Sequence, residues 1–152
     1  MNPRHKPCSD RKDKPRSFLF VCYGNICRSP MAEAIVRHLL GDRACSESAG
    51  IAALGNGAMP EAVEAVQTLF NIDISGHRSR HVSEVDTSVF DYVIAMDGMI
   101  YEWLKAAALV SEEKLFEWDI NDPVGQPLSV FKRTAVEIQK KIEQFLLNRD
   151  VH

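Results

Sequence analysis

The 152-residue sequence has no long apolar run, and this absence argues against a chain that spans a membrane. No stretch approaches the ~20 consecutive apolar residues that a helix needs to cross a bilayer. Residues 1–17 are polar and have no apolar core of the kind found in secretory signal peptides. We therefore expect a protein that is neither secreted nor membrane-spanning.

Cysteine is also scarce. Four cysteines at this length do not make a disulfide scaffold. None forms a Cys-x2-Cys pair, so the spacing argues against a zinc site. The sequence assigns no role to Cys8 or Cys45. These features favour a cytoplasmic, reducing compartment, with no metal and no organic cofactor.

The first 17 residues differ in composition from the rest. They carry six Lys or Arg against two Asp and few apolar residues. This composition predicts a disordered N-terminal extension over 1–17, followed by one domain over 18–149. A solvated tail explains the charge better than an arm for acidic partners, and no nucleic-acid partner is expected.

Past residue 17, short apolar runs alternate with helical patterns. Strands are expected at 18–21, 47–50, 90–96 and 115–118, and helices at 30–40, 60–70, 101–109 and from 128 onward. This alternation predicts a single α/β domain, with a four-stranded parallel sheet and helices on both faces. In such sheets ligands bind at the carboxyl ends of strands, and Cys22 ends the first strand.

The segment after Cys22 has the features of an anion-binding loop. Gly24 and Asn25 tolerate the positive φ that a tight loop requires. Ser29 is expected to be the N-cap of the next helix, with Pro30 at its first position. Inward-facing backbone N–H groups and the helix N-terminus would together attract a phosphate-like anion.

Cys22 and Arg28 supply the reactive groups of this loop. A helix N-terminus and an arginine favour the thiolate, which is the nucleophilic form of cysteine. The planar guanidinium of Arg28 matches two oxygens of a phosphate. We therefore interpret Cys22 as a nucleophile rather than a core cysteine. The expected phosphate-binding residues are Tyr23, Gly24, Asn25, Ile26, Cys27 and Arg28.

Phosphoryl transfer from an oxygen leaving group also needs a proton donor. The candidates are Asp97, Asp119 and Asp122. Asp122 is favoured because Asp-Pro-Val-Gly has the composition of a loop, and because Pro123 restrains the backbone of the residue before it.

Residues 21–30 resemble the signature of the low-molecular-weight protein tyrosine phosphatases. Further similar segments lie at 48–51, 74–80, 90–97 and 122–125, so the resemblance covers about residues 17–148. It implies hydrolysis of phosphotyrosine in proteins through a phosphocysteine on Cys22, with Asp122 as general acid and then base. The partners it implies are a phosphorylated protein and, in the loop, inorganic phosphate or an analogous anion.

The resemblance also implies supporting roles. The Ser29 hydroxyl would steady the Cys22 sulfur, Asn25 and His77 would shape the loop, and Asp97 would lie near the site. Cys27 lies in the same curled loop and would form a reversible disulfide with Cys22, which protects against irreversible oxidation.

One position departs from the family. Val124 follows Pro123 where members usually carry aromatic residues that contact the substrate ring. Tyr23 or Trp118 would have to replace them, although surface and core packing explain these two residues equally well.

Three alternatives stay open. A protein-arginine phosphatase carries Thr at the position of Ile26. An arsenate reductase of this type needs downstream cysteines, and none follows Cys45. A phosphate-binding module without chemistry would have lost the acid or the thiol, and both are present.

Overall fold

The computed structural model describes Cys8 and residues 16–149, where four strands alternate with four α-helices. The strands are β1 (Arg16–Cys22), β2 (Ala44–Gly50), β3 (Tyr92–Ala95) and β4 (Leu115–Glu117). The helices are α1 (Arg28–Leu40), α2 (Pro60–Phe70), α3 (Gly98–Ala107) and α4 (Leu128–Arg149). Each expected element is present, with ends that differ from the prediction by up to three residues.

The strands form one parallel sheet in the order β2-β1-β3-β4. In β1 the residues from Phe18 to Cys22 are at most 3% exposed, as expected for a central strand that is covered on both faces. Strands β2 and β3, which follow β1 in the chain, lie on opposite sides of it in the sheet. The carboxyl end of β1 is therefore a topological switch point. Cys22 occupies that end, opposite Gly50 of β2.

Helices cover both faces of the sheet, which confirms the predicted fold class. Helices α1, α2 and α4 pack on one face over Phe18 and Phe20. Helix α3 packs on the other face over Leu19 and Val21. The apolar stripe of α4 is buried against the first of these cores, as its spacing predicted. No helix among the described residues is long and apolar enough to cross a membrane.

Strand β1 begins at Arg16, so two residues assigned to the N-terminal extension belong to the sheet. Ser17 is anchored there because its N–H donates to Asp91 Oδ2 at 2.9 Å. The rest of the predicted extension, except Cys8, lies outside the described residues.

Helix α1 begins at Arg28, earlier than the expected cap. Cys27 takes the N-cap position. The prediction that Ser29 is the N-cap is therefore wrong: its backbone is already helical, and its hydroxyl contacts the Cys22 sulfur. The helix ends as predicted at Gly41, whose φ of +53° suits a glycine cap.

A disulfide joins Cys8 to Cys45 at the start of β2, which the sequence did not predict. The backbone N–H of Cys8 donates to Glu47 Oε2 at 2.8 Å. The possible ligand atoms of Cys8, Cys45 and Glu47 lie within 4.8 Å of one another. Both sulfurs are bonded to each other, however, and Glu47 pairs with Arg80. The cluster is therefore a cross-link between Cys8 and strand β2.

Candidate active site

The β1–α1 loop (residues 23–27) curls at the carboxyl end of the sheet. Asn25 adopts the left-handed conformation, with φ of +58°. Gly24 does not, so only one of the two residues expected to supply positive φ does so. This conformation costs little free energy at Asn25, because its short polar side chain makes local hydrogen bonds. Its amide nitrogen Nδ2 donates to Ser29 Oγ at 2.8 Å, and the backbone N–H of Arg80 donates to its Oδ1 at 3.0 Å.

Gly50 lets this loop lie directly against the end of β2. A Cβ at Gly50 would come within 2.7 Å of the Tyr23 carbonyl oxygen and 2.9 Å of the Asn25 nitrogen. Both neighbours are backbone atoms, which cannot swing aside as a flexible side chain can. The next two residues donate their N–H groups to the carbonyls of Cys22 and Tyr23, at 3.1 and 2.8 Å. The end of β2 and the two residues that follow it therefore hold the loop in its shape.

The Cys22 thiol lies at the base of the loop and is surrounded by hydrogen-bonding groups. Its Sγ is 2.9 Å from Ser29 Oγ, and the backbone N–H of Asn25 donates to it at 3.2 Å. The residue is 3% exposed and nevertheless lines a pocket of about 410 Å³.

Arg28 is buried and held by two acceptors. Its Nη1 donates to Asp97 Oδ2 and to the Ile120 carbonyl, both at 2.8 Å, and its side chain is 3% exposed. Burial raises the pKa of Asp97, but the hydrogen bonds from Arg28 and the backbone of Ile100 outweigh it and lower that pKa below its usual value. Asp97 is therefore ionised at neutral pH, and it orients the guanidinium toward the pocket.

Asp122 lies at the mouth of the pocket, close to Arg28. Its Oδ2 is 3.7 Å from Arg28 Nη2, its side chain is 44% exposed, and its Oδ1 accepts the Val124 N–H in a turn. Asp119 is exposed and does not line the pocket. Of the three candidate acids, Asp122 is thus the one at the mouth, whereas Asp97 orients Arg28.

His77 contacts the β1–α1 loop, and Cys27 belongs to it. His77 Nε2 is 2.7 Å from the carbonyl oxygen of Asn25, which brings together the two residues expected to shape the loop. Cys27 lines the pocket as a free thiol. Burial, and then the negative charges of Asp122 and Cys22, raise the pKa of Cys27 to about 12. The Cys27 thiol therefore stays protonated at neutral pH.

The pocket walls include residues that sequence reasoning missed. Ala52, Leu54, Asn56 and Ser79 line one wall. They follow no motif spacing, because they come from two loops that meet only in the fold. The Ser79 N–H donates to the Asn56 carbonyl at 2.7 Å, which joins these loops. The Ser79 hydroxyl itself is buried and has no protein partner among the described residues.

The rim of the pocket is apolar. Tyr23 is 51% exposed, Leu54 87% and Val124 48%. Trp118, the other candidate for contact with a substrate ring, is instead buried in the core against Phe20. Of the two aromatic residues considered for that contact, only Tyr23 is at the mouth.

Two relatives cover nearly the whole domain. Arsenate reductase 2 from Staphylococcus saprophyticus is 35% identical over 133 residues, which cover 88% of this chain and 98% of the relative. A probable low molecular weight protein-tyrosine-phosphatase, EpsP, from Ralstonia nicotianae is 35% identical over 138 residues, covering 86% of this chain and 94% of the relative.

Solved structures show the same fold. The low molecular weight protein tyrosine phosphatase from T. tengcongensis is 36% identical, with a TM-score of 0.81 over 88% of this chain and 99% of that one. The YwlE arginine phosphatase from Geobacillus stearothermophilus is 26% identical, with a TM-score of 0.75 over 88% of this chain and 97% of that one.

A family model described as low molecular weight phosphotyrosine protein phosphatase matches residues 17–152. The match begins within the first strand and includes the whole pocket, and it confirms the resemblance carried by residues 21–30. This chain belongs to the low-molecular-weight phosphotyrosine protein phosphatase family.

Proposed function

We propose that this protein hydrolyses phosphotyrosine in protein substrates, with Cys22 as nucleophile, Arg28 as anion-binding group and Asp122 as general acid and base. The observation that carries the proposal is the convergence of these three groups on one pocket, with Arg28 Nη2 3.7 Å from Asp122 Oδ2. The family supports the coarser statement that the chemistry is that of a cysteine-dependent phosphatase.

In the first step the Cys22 thiolate attacks phosphorus, and the bond to the leaving oxygen breaks. Asp122 gives that oxygen its proton. Arg28 and the N–H groups of the β1–α1 loop hold the remaining phosphoryl oxygens, on which charge is spread in the transition state. Because Asp97 and the Ile120 carbonyl already fix the guanidinium, it need not reorganise during the reaction.

In the second step water attacks the phosphocysteine, and the bond between sulfur and phosphorus breaks. Asp122, now a carboxylate, accepts a proton from the water. The Ser29 hydroxyl, 2.9 Å from Cys22 Sγ, stabilises the departing thiolate. The products are inorganic phosphate and the free enzyme.

Asp122→Asn tests the acid. We expect kcat on phosphotyrosine to fall about 10²–10⁴-fold, the usual contribution of general acid–base catalysis. The loss on p-nitrophenyl phosphate should be smaller, because p-nitrophenolate leaves without protonation. Asp119→Asn is the matched control and should remain close to wild type, since Asp119 is outside the pocket. Equal losses on both esters would contradict the assignment.

Gly50→Ala tests the support of the loop. We expect at least about a 100-fold loss of kcat/KM, because the added methyl group displaces loop backbone and misplacement by about 1 Å costs this much. The control is Gly57→Ala, whose Cβ would meet only the His77 carbonyl at 3.6 Å, an ordinary contact. Both rates would be measured beside thermal unfolding. A fully active, normally folded Gly50→Ala protein would show that the loop is not held at this point.

Phosphoarginine is the second candidate substrate, favoured by the likeness to an arginine phosphatase. Against it, Ile26 lines the pocket where that branch carries Thr, and the rim formed by Tyr23, Leu54 and Val124 is apolar. Apolar surface favours a phenyl ring over a guanidinium group. Comparison of kcat/KM for phosphotyrosine and phosphoarginine peptides of the same sequence decides between them.

Arsenate reduction is suggested by the names of several relatives. It needs further cysteines downstream of the loop, in addition to Cys22 and Cys27. No cysteine follows Cys45, and Cys45 pairs with Ser17 of β1, five residues before Cys22. At about 3.3 Å per residue this separation is about 17 Å, too far for direct attack on a Cys22 adduct. We therefore expect no thiol-dependent reduction of arsenate.

Two further properties belong to this proposal. Cys27 would form a disulfide with Cys22 under oxidation and so protect the nucleophile. A cytoplasmic location would keep that nucleophile reduced. Alkylation of Cys22 and Cys27 before and after peroxide treatment tests the first, and fractionation of the native host tests the second.

A further inference from the structure

The Cys8–Cys45 disulfide joins Cys8 to the start of β2. Cys45 is 1% exposed, and Cys8 packs at the edge of the core beneath α3. Cys45 and Glu47 alternate with Ser46 along β2, so their side chains lie on the same face of the strand. On that face the Cys8 N–H donates to Glu47 Oε2 at 2.8 Å.

Glu47 connects the disulfide to the segment that supports the active-site loop. Its other oxygen, Oε1, pairs with Arg80 Nη2 at 2.5 Å. Arg80 is also held by β2, since its Nε donates to the Ser48 carbonyl at 3.1 Å. The two carboxylate oxygens of Glu47 are thus divided between Cys8 and Arg80.

Arg80 in turn positions Asn25. The Arg80 N–H donates to Asn25 Oδ1 at 3.0 Å, and the backbone N–H of Asn25 donates to Cys22 Sγ at 3.2 Å. Every step from the disulfide to the nucleophile is therefore a covalent link or a direct hydrogen bond. Asn25 has positive φ, so its loop conformation depends on these contacts.

We propose that Cys8 and Cys45 form a second redox site, separate from the catalytic thiol, and that their disulfide increases activity by holding Glu47 and Arg80 in place. Its reaction partner is a low-molecular-weight thiol or a protein dithiol. When the disulfide is reduced, Cys8 is released, Glu47 loses one of its two hydrogen bonds, and the support of Asn25 weakens. The effect on turnover rests on the proposed function, but the redox chemistry does not.

The exchange reaction balances with two thiols. Because Cys45 is buried, the incoming thiolate attacks the sulfur of Cys8, forming a mixed disulfide and releasing the Cys45 sulfur, which takes up a proton. A second thiolate attacks the mixed disulfide and frees Cys8 as a thiol. The protein disulfide gains two electrons and two protons, and the two small thiols become one small disulfide.

The first experiment equilibrates the folded protein with mixtures of reduced and oxidised glutathione at different ratios. Alkylation and peptide mass mapping then show which cysteines are free. The catalytic-loop variant Cys22→Ser/Cys27→Ser is used, so that Cys8 and Cys45 are the only cysteines present. We expect both to change together and reversibly between disulfide and thiol. Two free thiols at every ratio, or a disulfide that no ratio reduces in the folded protein, would overturn the proposal.

The second experiment measures kcat/KM for p-nitrophenyl phosphate and the affinity for inorganic phosphate. We expect kcat/KM of the oxidised wild type to be about fivefold higher than that of the reduced wild type. A change of this size is within the range of coupling between neighbouring residues in one hydrogen-bond network. Cys8→Ser, which cannot form the disulfide, should match the reduced wild type under both reducing and oxidising conditions. Any loss that oxidant causes in this variant belongs to the catalytic loop and is subtracted.

The route through Glu47 is tested with Glu47→Gln, in which the redox response should disappear. Ser46→Ala is the matched control on β2, because its hydroxyl bonds Glu33 on the other face and its loss should leave the response intact. Equal activity of oxidised and reduced wild type would overturn the coupling. A protein without phosphatase activity whose phosphate affinity still follows the redox state would instead overturn the proposed function alone.

Discussion

Cys22→Ser is expected to lower kcat for phosphotyrosine by about 10⁴-fold or more, as removal of a covalent nucleophile commonly does. A serine hydroxyl is a far weaker nucleophile than a thiolate at neutral pH. The substitution is nearly isosteric, and both the Ser29 hydroxyl and the Asn25 N–H remain available to bond the new hydroxyl, so the loop should keep its shape. Steady-state turnover measures the loss, and calorimetric binding of inorganic phosphate shows whether the loop remains intact.

Cys27→Ser provides the matched comparison for this result. It makes the same exchange of sulfur for oxygen at another residue of the same loop. The thiol of Cys27 is protonated at neutral pH, because its pKa is about 12. We expect a loss of about tenfold or less, consistent with one altered buried group. Similar losses in the two variants would mean that the chemistry depends on the loop as a whole rather than on the Cys22 sulfur.

Arg28→Lys should be nearly as damaging, with kcat/KM reduced about 10³-fold. Arginines that stabilise phosphoryl transfer contribute about 10³–10⁵-fold. A lysine keeps the positive charge, but it cannot bond Asp97 and the Ile120 carbonyl while presenting two parallel donors to a phosphate.

The measurement for Arg28→Lys is kcat/KM together with the affinity for vanadate, which mimics the transition state of phosphoryl transfer. Vanadate affinity should fall more than phosphate affinity, because the guanidinium acts most strongly on the transition state. Arg43→Lys, at an exposed position where the side chain bonds only backbone carbonyls, is the control. Equal losses of vanadate and phosphate affinity would make Arg28 a simple anion-binding residue.

The elements most easily predicted from the sequence were those with strong apolar patterns. The run Phe18–Val21 predicted a buried strand, and the stripe of α4 predicted a long amphipathic helix. Strand β2 was harder to predict, because Ser46, Glu47 and Ser48 do not form an apolar run. The structure explains their place in the sheet: the hydroxyls of Ser46 and Ser48 bond Glu33 of α1, at 2.8 and 2.6 Å. Their polarity is satisfied by tertiary contacts that spacing does not reveal.

The start of α1 shows the same limit. Ser29 followed by Pro30 is a typical helix-start pattern, yet the chain turns into the helix at Arg28. A serine that contacts the Cys22 sulfur and the Asn25 amide is already bonded, so it is not free to cap a helix end. The local preference was overridden by the contacts of the site.

The sequence by itself determined the fold class, the family, and the placement of a thiol and a guanidinium in one short loop, because these depend on local pattern and on residues close together in the chain. Only the tertiary structure decided which aspartate orients Arg28 and which lies at the mouth, that Trp118 belongs to the core, and that Cys8 joins Cys45. These depend on distances between segments far apart in the chain, which are fixed only when the sheet and helices pack.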